Sequence, residues 1–147
     1  MILAELFMMI EIEAPAERVW QVLTDFGRYP DWNPFLRSVE GSVRNRAQLK
    51  VALQPAGRQL LHYRPRVVTL RPPRELRWAA RLPVPGLLGG EDRFVVERLD
   101  DHRSRLIHER RLRGLLVPFV RRRLEGPVKR GFEAMSLALK HTAERES

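Results

Sequence analysis

The sequence predicts an α+β fold in which a curved antiparallel sheet of about seven strands wraps around a long C-terminal helix, in the order β-α-α-β6-α. Residues 36–114 contain run after run of alternating apolar and polar side chains, as strands with one buried face do. Helical stretches with one apolar side precede these runs at 15–25 and follow them at 118–143. The sheet and the helices can bury their apolar sides only against each other, and this arrangement tends to leave an internal cavity.

The first strand and the first helices precede residue 36. Residues 3–13 are predicted to form a half-buried strand, with glutamates on the outer side. The residues of its apolar side are Leu6, Met8, Ile10 and Ile12. Pro15 suits the first turn of the helix over about 15–25. Gly27, Pro30 and Pro34 then indicate turns or one short second helix.

Six further strands are predicted. Their approximate bounds are 36–44, 47–54, 58–70, 74–82, 91–99 and 104–114. The stretch LDDHR (99–103) is typical of a hairpin turn, and the Pro/Gly-rich stretch LPVPGLLGGE (82–91) is interpreted as a flexible lip at the cavity mouth.

The chain ends in the helix predicted over about 118–143. One side of this helix is apolar, and its residues are Leu124, Val128, Phe132, Met135 and Leu139. Gly126 and Pro127 interrupt the pattern, and a kink or break is expected there because proline lacks the amide that the helix needs.

The composition indicates one globular domain over residues 1–147. The chain is 44% hydrophobic and 31% charged, and it has no uninterrupted apolar run near the 18 residues of a membrane span. It has no cysteine, which excludes disulfides and thiolate chemistry and suits a cytoplasmic protein.

The net charge of +9 raises the question of an anionic partner. The excess is nearly all arginine and is scattered along the chain, which favours an ordinary solvated surface. Aromatic residues do not alternate with the basic ones, so we expect no nucleic-acid binding. Peripheral contact with an anionic membrane, through Arg121–Arg123 and Lys129–Arg130, remains an alternative.

Four stretches carry a resemblance to a known family. They are VWQVLTDFGRYPDWNPF (19–35), GLLGGEDRF (86–94), LIHERRLRGLLVP (106–118) and GFEAMSLALK (131–140). With the order of elements, they resemble the START-like (SRPBCC) superfamily with the helix-grip fold, and within it the polyketide cyclase/dehydrase-like branch. The resemblance covers about residues 4–143. It implies a cavity between sheet and C-terminal helix that binds apolar or aromatic small molecules; some members are cyclases or hydrolases, and many only carry or sense a ligand.

The aromatic stretch at 25–41 invites interpretation as an active site. In a fold of the kind that the resemblance implies, Trp32 and Phe35 would close one end of the cavity and contribute large apolar area. Turn and core chemistry explain all of its residues, so a structural role is favoured over a catalytic one.

The inner face of the last two strands contains the best candidates for chemistry. With the hairpin centred on Asp101, Phe94 falls opposite His108 and Asp92 opposite Arg110. Asp92 and Arg110 then form either a polar hook for a ligand or a structural salt bridge, and His108 is either a general acid/base or a hydrogen-bonded core residue. A register slip by one residue would instead turn four charges inward. Related sequences of this branch show an HxExFxG-like pattern near these positions. Arg110 occupies the place of its glutamate here, so an acid/base role of that glutamate does not carry over to this chain.

Further wall residues follow from the same alternation. The predicted ligand-binding residues are Trp32, Phe35, Tyr63, Trp78, Phe94, Arg110, Leu112, Phe132 and Met135. Tyr63 rather than His62 is expected to face inward. The sequence has no metal-ligand motif, nucleophile elbow or dinucleotide loop, so no metal or cofactor is expected.

Three functions therefore remain open. The first is a small-molecule-binding protein for an apolar or amphipathic ligand such as a lipid, a quinone or a polyketide-like compound. The second is a cyclase/dehydratase-type enzyme with His108 as general acid/base, assisted by Asp92 or Tyr63. The third is a basic membrane- or protein-associated module. The oligomeric state does not follow from the sequence.

Overall fold

Two antiparallel sheets pack against the C-terminal helix in the computed structural model, which describes residues 3–145. The strands of this part are β1 (Leu3–Ile12), β2 (Leu36–Glu40), β3 (Lys50–Leu53), β4 (Leu61–Tyr63), β5 (Arg66–Arg71), β6 (Glu75–Arg81), β7 (Gly89–Arg98) and β8 (Ser104–Arg113). The helices are α1 (Ala16–Thr24), α2 (Tyr29–Trp32), α3 (Val117–Arg123) and α4 (Lys129–Arg145). The ends of the domain predicted over 1–147 lie outside the described residues.

The predicted fold class is confirmed, with a small difference in the strands. The large sheet has the order β1-β8-β7-β6-β5 and the small sheet the order β2-β3-β4, which makes eight strands within residues 3–145 rather than about seven. The strand expected over 58–70 is divided into β4 and β5. Pro65 lies at the break, where its ring removes an amide from the ladder. An isolated antiparallel bridge between Gln48 and Arg66 lies between the two sheets, and backbone hydrogen bonds such as that from the amide of Val67 to the carbonyl of Ala47 accompany it.

The β7–β8 register is the one expected from the hairpin. Asp92 lies opposite Arg110 and Phe94 opposite His108. The slip by one residue is excluded, because Glu91 and Glu109 pair with arginines on the outer face of the sheet instead.

The inner face of the large sheet consists of successive layers across β1, β8, β7 and β6. The mouth layer, at the end where β6 and β8 finish, contains Ala4, Leu112, Gly90 and Ala80. The polar layer below it contains Leu6, Arg110, Asp92 and Trp78. The aromatic layer below that contains Met8, His108, Phe94 and Leu76. The side chains become larger from the mouth towards the middle of the sheet.

The aromatic stretch after α1 is part of the core. The Oδ1 atom of Asn33 accepts hydrogen bonds from the amides of Phe35 and Leu36, both at 2.9 Å, and so fixes the turn into β2. The hydroxyl of Tyr29 donates to the carbonyl of Leu23 at the end of α1. The rings of Phe26 and Tyr29 pack edge to face at 5.7 Å between centroids. These contacts explain the stretch without a catalytic role.

The C-terminal helix continues through Pro127 instead of breaking. A π-helical turn over Leu124–Val128 joins α3 to α4, and its wider winding accommodates the proline ring. The carbonyl of Pro127 accepts a hydrogen bond from the amide of Ala56 at 2.9 Å. The predicted apolar side is confirmed, since all five of its residues are buried. Within residues 3–145, no helix has the length and hydropathy of a membrane span.

Candidate functional site

Asp92 is the centre of a buried polar cluster on the inner face of the sheet. Its Oδ1 atom lies 3.2 Å from Nε2 of His108. Its Oδ2 atom accepts hydrogen bonds from Nη1 of Arg110 at 2.6 Å and from Nε1 of Trp78 at 3.1 Å. The hydroxyl of Tyr63, on β4, donates to the same oxygen at 3.4 Å. Two strands of the large sheet, β6 and β8, and one of the small sheet thus direct polar atoms at a single carboxylate on β7.

The cluster is charged although it is buried. Burial alone would raise the pKa of Asp92, but the charge of Arg110 and the hydrogen bond from His108 outweigh it and hold that pKa below its usual value. Burial would lower the pKa of Arg110, and the nearby carboxylate instead raises it. Burial and the charge of Asp92 raise the pKa of Tyr63 to about 12. At neutral pH the cluster is therefore an aspartate–arginine ion pair beside a neutral phenol.

His108 is held edge-on to Asp92 between two phenylalanine rings. The ring of Phe94 stacks on one side at 4.1 Å between centroids, and the ring of Phe132, from α4, stacks at 4.0 Å. Burial lowers the pKa of His108 and outweighs the hydrogen bond and the charge of Asp92, so the imidazole is neutral at pH 7. Because ionised Asp92 can only accept, the proton lies on Nε2. Nδ1 is then an acceptor, and it is buried without a hydrogen-bond partner among the described residues.

Arg110 has unused donor capacity next to the mouth layer. Its Nη1 atom contacts Asp92, whereas its Nε–H is buried and has no acceptor within residues 3–145. The guanidinium carbon lies 5.7 Å from the centre of the Tyr63 ring. A guanidinium has five N–H donors, so Arg110 can bind Asp92 and still receive an oxygen from a second group.

The mouth layer beside Arg110 has small side chains and contact with solvent. Gly90, Ala80 and Leu112 are half-buried, whereas Phe94 and His108 two layers below are fully buried. Leu112 lies over Gly90: a Cβ atom on Gly90 would be 2.7 Å from Cδ2 of Leu112. The inner face therefore has the least side-chain bulk at this end, with Leu112 lying across Gly90.

The predicted wall residues divide into three groups. Trp78, Phe94, His108 and Phe132 form a continuous series of packed rings, and the ring of Phe35 joins it at 6.4 Å from that of Phe132. These rings and buried Met135 occupy the space between sheet and α4 at the level of His108. Tyr63, Arg110 and Leu112 lie nearer the mouth and are half-buried.

Trp32 lies apart from these residues. Its ring packs on Tyr29 at 5.1 Å, and it lines a surface depression together with Arg18, Asp31 and Thr142. The fold therefore uses Trp32 on the helical side of the molecule, away from Asp92.

Two surface depressions reach the edges of the cluster. One of about 410 Å³ is bordered by Tyr63, His62 and Ser38 of the small sheet. The other, of about 430 Å³, lies between β1 and α4 and is bordered by Phe132 and Phe7. Both volumes fall in the range of about 300–1,000 Å³ that small-molecule sites occupy. Tyr63 thus borders both the cluster and the surface.

The sequence interpretation missed two features of the site. One is the mouth layer of small residues, although the alternation that placed Asp92 and Arg110 inward also places Gly90 and Leu112 there. The other is Ser136 on α4, whose buried hydroxyl has no hydrogen-bond partner in the described part of the chain. Ser136 follows Phe132 by one helical turn, and only that spacing could have indicated it. Residues 3–145 contain no group of His, Asp and Glu able to hold a metal ion.

Comparisons with known proteins agree with this geometry. Residues 5–144 match the family described as "Polyketide cyclase / dehydrase and lipid transport". No curated protein matches the sequence.

Several solved structures share the fold. The Zhui aromatase/cyclase from a Streptomyces species is 21% identical, with 99% of this chain and 96% of that chain covered and a TM-score of 0.80. A START superfamily protein from Mycobacterium smegmatis is 20% identical, with 97% and 99% covered and a TM-score of 0.72. Norcoclaurine synthase from Thalictrum flavum is 14% identical, with 99% and 98% covered and a TM-score of 0.69. Proteins with these names thus share the arrangement of sheet and helix.

Proposed function

Because the chain belongs to the polyketide cyclase/dehydrase and lipid transport family, within the START-like superfamily that its sequence resembles, we propose that it holds an apolar or amphipathic small molecule. The ligand would lie between the inner face of the sheet and the C-terminal helix, entering through the mouth layer. A lipid, a quinone and a polyketide-like compound all have the required chemistry. A single domain in the cytoplasm, without a cofactor, is part of the same proposal.

The observation that carries the proposal is the position of Arg110. Its buried Nε–H has no acceptor in the described residues, and it lies next to a layer made of glycine, alanines and one leucine. A donor without an acceptor is unfavourable when buried, and a ligand oxygen would satisfy it. An apolar body against the mouth layer, with one carbonyl, hydroxyl or carboxylate oxygen on Arg110, fits both features.

Binding at this site needs side chains to move. Leu112 lies across the mouth, and the rings around His108 fill the space below. A bulky ligand would displace Leu112 and Tyr63 first, because both are half-buried and lie nearest to the surface. The ligand would then contact Trp78 and Phe94, and deeper entry would require Phe132 to leave the face of His108.

One observation favours a second function, a cyclase/dehydratase-type reaction. His108 donates from Nε2 to Asp92, which leaves Nδ1 as a neutral base of fixed orientation. The lone pair of Nδ1 lies in the plane of the ring, so a ligand that reached the ring edge could lose a proton to it. An aromatase/cyclase is among the proteins of this fold. The reaction is the weaker proposal, because His108 and its Nδ1 atom are fully buried, so a ligand reaches this edge only after the surrounding side chains move.

The first experiment is native mass spectrometry of freshly purified protein, followed by organic extraction. We expect a bound apolar compound, or else stabilisation in a thermal-shift screen of fatty acids, quinones and polycyclic aromatics. Leu112→Trp, which fills the mouth layer, should abolish either signal, and Val68→Trp on an exposed part of β5 is the matched control. An empty protein that no compound in the screen stabilises would contradict the proposal. Turnover of an identified ligand that His108→Gln abolishes, with binding retained, would establish the enzyme instead.

A further inference from the structure

Two loops meet at the mouth end of the sheet and expose large apolar side chains. The β6–β7 loop and the β8–α3 loop are joined by hydrogen bonds from the amides of Leu115 and Leu116 to the carbonyls of Gly86 and Leu87. On this joined surface Phe119 is 81% exposed, Leu115 67% and Val84 57%. We call these three residues the loop tip. Side chains this exposed project into the solvent and contribute little to the core.

The loop tip lies in a strongly basic part of the chain. Residues 76–90 and 110–124 contain eight arginines and no aspartate or glutamate. Four of the eight form no ion pair with any carboxylate in residues 3–145: Arg81, Arg113, Arg122 and Arg123. Arg122 and Arg123 follow Phe119 by three and four residues, so all three share one side of α3.

Elsewhere on the large sheet, arginines lie beside carboxylates. On the outer face of the sheet, Arg77 and Arg93 bond to Glu75, and Arg93 also bonds to Glu109. At the opposite end, the β7–β8 hairpin contains Asp100 and Asp101. The mouth end combines the two most exposed of the large apolar side chains in residues 3–145, Phe119 and Leu115, with arginines that form no ion pair in that part of the chain.

We propose that the loop tip docks on an anionic lipid bilayer. Phe119, Leu115 and Val84 would enter the acyl boundary, while the unpaired arginines bind lipid phosphates at the headgroup level. An acidic protein is the other partner with complementary charge. The bilayer is favoured because the apolar side chains project singly from two loops and a helix end, as insertion into a fluid surface requires, whereas a rigid partner would need a matching set of pockets.

Docking in this orientation turns the mouth layer towards the membrane. Gly90 and Leu112 lie at the same end of the strands that lead into the two loops. An apolar compound could then pass between bilayer and protein without crossing water. The membrane contact itself does not depend on the proposed function, since it uses only residues outside the mouth and polar layers.

The test is flotation of the full chain with vesicles of phosphatidylcholine, with and without phosphatidylglycerol. We expect binding to the anionic vesicles that decreases with salt, and at least about tenfold weaker binding to the neutral ones. Arg122→Gln with Arg123→Gln should weaken anionic binding by roughly tenfold or more. Arg71→Gln with Arg74→Gln removes the same charge from exposed positions at the opposite end and should change it less than about twofold.

The apolar contact needs a separate variant pair. Phe119→Ser should weaken binding to anionic vesicles by roughly tenfold. Phe7→Ser removes a comparably exposed ring from the outer side of β1 and should leave this binding unchanged. Unfolding temperatures of all variants distinguish lost binding from lost structure. No binding to anionic vesicles at low salt, or equal losses in test and control variants, would overturn the proposal. Failure on vesicles with Phe119-dependent binding to an immobilised acidic polypeptide would assign the loop tip to a protein partner instead.

Discussion

The guanidinium of Arg110 lies 2.6 Å from the carboxylate of Asp92 on the inner face of the sheet, where water has little access. Such a pair is held by its geometry: each charge is unfavourable when buried without the other. Trp78 and His108 contribute the further hydrogen bonds that the carboxylate needs.

Asp92→Asn should destabilise the fold strongly. The amide keeps the size of the side chain but removes the charge that compensates Arg110. We expect the free energy of unfolding to fall by about 3–5 kcal/mol. Urea unfolding followed by tryptophan fluorescence measures this change. Asp101→Asn, in the exposed hairpin, makes the same chemical change and should have no measurable effect. Adding Arg110→Met to Asp92→Asn should recover part of the loss, and no recovery would show that the pair is not the cause.

The stability should fall as the pH drops below about 6.5, the usual pKa of histidine. The pKa of His108 is lowered in the folded chain, so the unfolded chain binds more protons between pH 6.5 and the lower folded pKa. Stability is therefore fully present above this window and decreases within it, by up to about 1.4 kcal/mol per pH unit. The pKa of Asp92 is also lowered and adds a loss at more acidic pH.

The control for this prediction replaces the titrating ring. His108→Gln retains a donor for Asp92 but cannot titrate, so its unfolding free energy should change less between pH 7 and 5. His102→Gln, in the exposed hairpin, should keep the slope of the parent protein. If the unfolding free energy of His108→Gln still falls with pH as in the parent protein, groups other than His108 cause the fall.

The tyrosines should ionise only at strongly alkaline pH. The chain has two of them; burial, with the charge of Asp92, raises the pKa of Tyr63 to about 12, and burial raises that of Tyr29 further. Absorbance of tyrosinate near pH 10.5 should be almost absent in the folded protein and should appear on unfolding, because a free tyrosine has a pKa of about 10. Tyr63→Phe should remove the earlier of the two transitions. Ionisation of half of the tyrosine near pH 10 would contradict the burial of these rings.

Gly131→Ala should destabilise the packing of α4 against the aromatic stretch. A Cβ atom at this position would lie 2.5 Å from Cδ1 of Phe35, whose ring is fully buried and cannot move freely. We expect a loss of about 1–3 kcal/mol, offset partly by the higher helix propensity of alanine. Gly27→Ala is the matched control, since no atom lies within 4 Å of its Cβ position. Chemical unfolding measures the stability of both variants. Equal stabilities would contradict the close contact between Gly131 and the Phe35 ring.

Much of the candidate site could be predicted from the sequence because it depends on local rules. The hairpin turn at 99–103 sets the pairing of β7 with β8, and alternation along a strand then places Asp92, His108 and Arg110 on one face. The division at Pro65 was equally local, since proline interrupts a strand ladder, and it was missed because the flanking residues continue the apolar pattern.

Contacts between distant segments could not be predicted in this way. The stacking of Phe132 on His108 depends on how α4 is rotated against the sheet, and the separation of Trp32 from Asp92 depends on the angle at which α2 leaves the turn. Alternation and helical periodicity determine which side of an element is buried, but not which residue of another element it meets.

The sequence by itself therefore determined the order of the elements, the inward face of each strand and the buried side of the last helix, because each follows from backbone periodicity over a few residues. Only the tertiary structure decided that Phe132 of α4 and Phe94 of β7 enclose His108, and that the β6–β7 and β8–α3 loops meet beside the exposed Phe119. Both features arise because the curvature of the sheet brings together side chains that are far apart in the chain, and the energy of that packing belongs to the whole fold.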